Sequence, residues 1–155
     1  MAHEMFTMYR DGLRQALASA PEILFICVAG NDNQDSTFQE SIPASFVLPN
    51  LLTVGAVDQS GRETPFTSYG STVAVHANGY EVESFIPGGG TMRASGTSMA
   101  APAVTNLAAK LFALNPSLKP TDVINLIKSG ADRAAADHLM LINPRHSVVL
   151  LRAKN

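Results

Sequence analysis

The chain has no tryptophan, a single cysteine and little net charge, and each shortage removes a class of function. One thiol, Cys27, supports neither an internal disulfide nor a multi-cysteine zinc site. It lies inside the apolar run 23–28 and reads as a small buried hydrophobe. Lys and Arg total 11 against 13 Asp and Glu, a net charge of −2, so no basic field is offered to nucleic acid or to an anionic membrane surface. No apolar run approaches the roughly 18 residues that a membrane helix needs. The opening Met1-Ala2-His3-Glu4 lacks the basic-then-apolar pattern of a signal peptide and supplies no address. What is present is a hydrophobic share of 46% over 155 residues, enough for one ordinary globular core.

Residues 5–20 place Met5, Phe6, Met8, Tyr9, Leu13, Ala16 and Leu17 at three- and four-residue spacing, which predicts an amphipathic helix ended by Pro21. The run 23–28 then predicts a strand covered on both faces of a parallel sheet, followed by a polar loop over 30–39 where α/β proteins place ligands. Further short strands are predicted at 51–57, 71–75 and 82–86. Gly88-Gly89-Gly90 marks a break. A buried helix rich in small residues follows, running past Leu111 and stopped by Asn115-Pro116. Helices at 120–129, with Gly130 past the end, and at 144–153, capped by Asn143, complete an α/β pattern without repeats.

Two short segments carry chemistry. Gly96-Thr97-Ser98-Met99-Ala100-Ala101-Pro102 puts a serine where a glycine turn enters a long helix, beside unpaired N–H groups and the positive end of the helix dipole. A plain helix cap is the bland alternative for Ser98. Val28-Ala29-Gly30-Asn31 ends the first strand on an amide that can donate to a developing oxyanion, the bland alternative being a residue that satisfies its own turn.

With both in place, the chain resembles the C-terminal half of a subtilisin-like serine peptidase, a subtilase. The family's Gly-Thr-Ser-Met-Ala-x-Pro stands at 96–102 and its Ala-Gly-Asn at 29–31. Between them, Thr53-Val54-Gly55-Ala56-Val57-Asp58, Phe66-Thr67-Ser68-Tyr69-Gly70 and Val75-His76-Ala77-Asn78-Gly79 look like the family's intervening segments. The resemblance spans nearly the whole chain. It implies a three-layer α/β fold with a mainly parallel sheet and flanking helices, of which residues 1–155 form the C-terminal half. It implies a polypeptide substrate, with Ser98 as the acyl-forming nucleophile and Asn31 as oxyanion donor together with the Ser98 N–H. Ala29 and Gly30 would form one wall of the pocket for the side chain before the scissile bond, small enough to leave room for a large apolar group, with the opposite wall outside this sequence. The cost of losing the amide donor, about 10²–10³ in turnover, is a value from subtilisin itself.

The family's Asp-Ser/Thr-Gly and His-Gly-Thr-His motifs are absent, and none of His3, His76, His138 and His146 stands in a Gly-Thr-His setting. The expectation is therefore a peptidase whose triad Asp and His lie in an N-terminal half outside this sequence, the chain alone being nearly inert. That half is also the expected partner of strand 23–28, whose exposed apolar edge would otherwise favour self-association. A catalytically dead interaction module is one alternative. An α/β-hydrolase esterase using Ser98, Asp132 and His146 is another. No cofactor is implied; Asp58 and the acidic loop 32–35 are too scattered to assign the structural calcium that subtilases often carry. Residues 105 and 106, Thr and Asn, replace small residues of the family pattern and call for partners if that helix is buried. By resemblance the setting is extracytoplasmic or secreted.

Overall fold

The computed structural model describes residues 2–134 and 139–153. Its elements are α1(Ala2–Ala18), β1(Phe25–Val28), β2(Leu51–Val57), β3(Val73–Asn78), β4(Val82–Phe85), β5(Thr91–Ala94), α2(Thr97–Leu114), α3(Pro120–Gly130), β6(Asp132–Arg133), β7(Met140–Leu141) and α4(Pro144–Arg152). The main sheet has the order β1-β2-β3-β7-β6, parallel from β1 to β7, with β6 antiparallel to β7. β4 and β5 form a separate antiparallel hairpin. This is the mixed α/β architecture expected, a mainly parallel sheet with flanking helices.

All seven residues of β2 are buried, as a strand flanked on both edges and covered on both faces requires. One face of the sheet sets Leu52, Val54, Ala56, Val75 and Ala77 against Val104, Leu107 and Leu111 of α2, Val123 and Ile127 of α3 and Leu151 of α4. Each Leu, Ile or Val among them contributes about 1.5–3 kcal/mol by leaving water. Ala100 and Ala108 of α2 belong to the same cluster, their small size letting the helix lie close to the sheet. On the other face the Thr53 hydroxyl donates to Ala44 O at 3.0 Å, and at the strand's edge the Ala56 N–H donates to Thr67 Oγ1 at 3.0 Å. These bonds fasten the preceding and following loops onto the strand.

Several expectations change. The run 23–28 is a strand only over Phe25–Val28; it has the free edge expected of it among the described residues, but Val28 is exposed, so the strand buried on both faces is β2. The strand expected at 71–75 begins later, at Val73, and runs to Asn78. The glycines at 88–90 form the tip of the β4–β5 hairpin instead of a simple break. Gly130 closes α3 as its last residue, where a Cβ would lie 2.7 Å from the Ser147 nitrogen. α1 leaves Met5, Met8 and Tyr9 largely in solvent. α1 is tied down at its end, where the buried Asn50 Nδ2 donates to the carbonyls of Leu17, Ala20 and Ile23. α2 is buried on one side only: Thr105 and Asn106 are exposed, and Thr105 Oγ1 donates to Ala101 O, so neither polar group needs a buried partner.

His76 on β3 is 6% exposed, presses against Gly55 across the strand pair, and has an Nδ1 without a hydrogen-bond partner among the described residues. Burial pushes its pKa below the ordinary 6.5, opposed by the backbone of Met140. As pH falls the unfolded chain takes up this proton first, so the stability His76 allows is complete above about 6.5 and is lost below it. Urea unfolding between pH 7.5 and 5 should show this loss, limited to about 1.4 kcal/mol per pH unit for one proton. His76→Gln should remove that part of the slope; an unchanged slope would clear His76 of the effect.

Candidate active site

The parallel strands deliver their C-terminal ends to one side of the sheet, and the candidate residues gather there. Past β1, the Ala29 N–H still donates to Val54 O at 2.9 Å, which carries the pairing one residue beyond the strand. Gly30 then turns the chain with φ 108°, its carbonyl accepting from Ser68 N at 2.9 Å. A Cβ at Gly30 would meet Ser68 Oγ at 3.1 Å, and this φ disfavours other residues, so the turn requires glycine.

The turn projects Asn31 across to the start of α2. Asn31 Oδ1 accepts from the Thr97 N–H at 2.8 Å and from Thr97 Oγ1 at 3.0 Å. A backbone N–H can only donate, so the oxygen of the amide faces Thr97 and the NH₂ is the end left for another acceptor. The N-cap residue of α2, Gly96, has no side chain to cap the helix, and Asn31 takes that part from 66 positions away in sequence. Ser98 is therefore not the cap. It is the second residue of the helix, it is exposed, and no hydrogen bond engages its hydroxyl among the described residues. Its own N–H belongs to the first turn, where amides lack helical acceptors.

The same junction is anchored from below. Gly96 N donates to Gly79 O at 2.8 Å, and Gly79 N donates to Val57 O at 2.9 Å, linking the ends of β2 and β3 to the helix start. A Cβ on Gly79 would lie 2.6 Å from Gly96 O, so this approach also requires glycine. Thr97, 0% exposed between Gly96 and Ser98, is the site residue that sequence reasoning passed over. The available signal was a hydroxyl residue at a helix start whose preceding glycine cannot cap.

Ser98 and Asn31 thus come together, with Gly30 in the adjoining turn and Ala29, 1% exposed, on the wall of a cavity of about 170 Å³. The histidines lie elsewhere in the chain's architecture. His76 is in the β3–β7 seam, and the exposed His146 is in α4, where its N–H donates to Asn143 Oδ1. His138 lies outside the described residues, as does the side chain of His3. Asp132 Oδ2 accepts from Asn143 Nδ2, so Asp132 and His146 both serve the start of α4. β5, which precedes Ser98, is a strand of the exposed hairpin, whereas an esterase elbow follows a buried parallel strand. Asp35 Oδ1 accepts from the Thr37 amide of its own turn, and Asp58 Oδ1 accepts from the Ser60 hydroxyl and from the amides of Arg62 and Ser60, which hold the Asp58 carboxyl below its ordinary pKa, the hydroxyl most of all. Cys27 is half-buried, and burial pushes its thiol up, in keeping with a packing role.

The profile of the subtilase family matches residues 6–142. Subtilisin-like protease 1 of Trichophyton rubrum is 45% identical over 106 residues, 67% of this chain and 20% of that protein. The cell wall-associated protease of Bacillus subtilis is 36% identical over 110 residues, 71% of this chain and 12% of that protein. Among solved structures, the patellamide maturation protease PatA superposes with a TM-score of 0.80 at 30% identity, covering 92% of this chain and 57% of that one. A cold-adapted subtilisin-like serine proteinase gives 0.72 at 31% identity, covering 84% and 46%. The chain therefore spans a quarter or less of these curated relatives and about half of these solved structures.

The Asn31–Thr97 contact yields an ordering of stabilities. Asn31→Ala leaves both Thr97 donors without their acceptor and should cost about 1–3 kcal/mol, whereas Thr97→Val removes one of two donors and should cost about 1 kcal/mol. Urea melts that reverse this order, or show neither loss, would contradict the geometry.

Proposed function

The chain belongs to the subtilase family, and from that premise we propose that it is the C-terminal part of a serine endopeptidase catalytic domain acting through Ser98 and Asn31. The observation that carries this reading is the capture of Asn31 Oδ1 by Thr97, which sets an amide NH₂ beside the helix start that bears Ser98. In the proposed reaction Ser98 Oγ attacks the carbonyl carbon of a peptide bond and a base accepts its proton. The oxyanion is held by Asn31 Nδ2 and the Ser98 N–H, aided by the positive end of the α2 dipole. Collapse expels the amine and leaves an acyl-enzyme, which water then hydrolyses.

An N-terminal half of the domain, on the same or a separate polypeptide, supplies the Asp and the His. Three surfaces suit it as a landing area. One is the edge of β1 that pairs with no strand among the described residues. Another is the exposed side of α2, where Pro102, Thr105 and Ala109 continue the helical stripe that begins at Ser98. The third is the apolar side of α1 with Met5, Met8 and Tyr9. Without that half, the β1 edge is also the surface through which the chain pairs with itself. Loss of the histidine costs on the order of 10⁶ in turnover, a subtilisin value, so the chain alone is nearly inert.

A fluorophosphonate probe should label Ser98 very slowly in the isolated chain. It should label Ser98 rapidly once an N-terminal subtilase half bearing the Asp and His motifs is supplied, and not at all in Ser98→Ala. Rapid labelling of the isolated chain would contradict the proposal. Failure to label the assembled pair would favour a catalytically dead interaction module.

A further inference from the structure

The cavity beside Ala29 has a composition that the small-residue wall did not foretell. Its volume of about 170 Å³ is roughly that of five or six waters, room for one extended side chain. Ala29 walls it on the side next to Gly30 and Asn31, while Asp32, Gln34, Gln39 and Glu40 contribute to the rest of its lining. The loop that holds these groups is pinned. Ser68, 4% exposed, also lines the cavity, and its Oγ accepts from the backbone N–H groups of Asp32 at 3.4 Å and Gln34 at 3.3 Å.

The two carboxylates differ. Glu40 Oε1 lies 2.9 Å from Arg10 Nε of α1, so its charge is already balanced. No hydrogen bond or ion pair engages the Asp32 carboxylate among the described residues. A large apolar side chain in this cavity would strip water from Asp32 and from two amides and give them nothing in return. A lysine or arginine side chain lays its aliphatic stem along Ala29 and brings its cation to Asp32. Resting on the reading of Ser98 and Asn31 above, we infer that this cavity receives the side chain before the scissile bond and selects a basic one, with Asp32 as the specificity-determining residue.

The test is cleavage of paired peptides that differ only in arginine or leucine before the scissile bond, by this chain assembled with an N-terminal half carrying the Asp and His. Arginine should be preferred in kcat/KM. Asp32→Asn should lower the arginine-to-leucine ratio about fivefold, as expected for one partly exposed charge pair. Arg10→Gln, which releases Glu40, should raise the ratio, and added salt should compress it. Preference for leucine, or a ratio indifferent to both substitutions, would overturn the inference and leave the peptidase reading standing. No cleavage of either peptide would overturn that reading, and this inference with it.

Discussion

The two hydrogen bonds from Thr97 to Asn31 Oδ1 are the constraint on which the candidate site depends. They join the loop after the marginal strand to the start of the helix that packs across the sheet. A helix whose cap residue is glycine has an unsatisfied first turn, and a loop amide far away in sequence supplies the missing acceptor. By fixing its oxygen, the contact also decides which way the amide points. A single interaction thus caps the helix, orders the loop and aims a hydrogen-bond donor.

Around that junction the glycines act as spacers. Gly30 permits the turn over Ser68, and Gly79 lets the end of β3 lie under Gly96. Neither position tolerates a Cβ without displacement of the backbone or a neighbouring hydroxyl. The result is a junction that holds Asn31 beside the start of α2, on a sheet whose first strand has a free edge among the described residues. The exposed side of α2 and the apolar side of α1 belong with that edge: all are surfaces that a complete subtilase-like domain would have reason to cover.

Much of this was legible in the sequence, because the Gly-Thr-Ser-Met-Ala-Ala-Pro and Ala-Gly-Asn segments stand in family order, the helical period of α3 is strong, and Gly96 and Asn115-Pro116 bound α2. What escaped reading was tertiary. The apolar run 23–28 has the free edge expected of it, but the pattern that suggests cover on both faces does not show that Val28 is exposed. α1 has the spacing of a packed helix, but spacing does not say whether a partner surface is there. The role of Thr97 was hidden because a cap 66 positions away leaves no local pattern. The small residues Ala29 and Gly30 describe one wall only, and the acidic and amide groups that share the cavity come from a loop pinned by Ser68.

Amide hydrogen exchange at Thr97 addresses the junction most directly. If Asn31 Oδ1 holds the helix start, the Thr97 N–H exchanges slowly, with the interior amides of α2 such as that of Val104, although it occupies the first helical position. Exchange as fast as that of an unbonded first-turn amide would mean that the contact does not persist in solution, and the site would lack the interaction that aims Asn31.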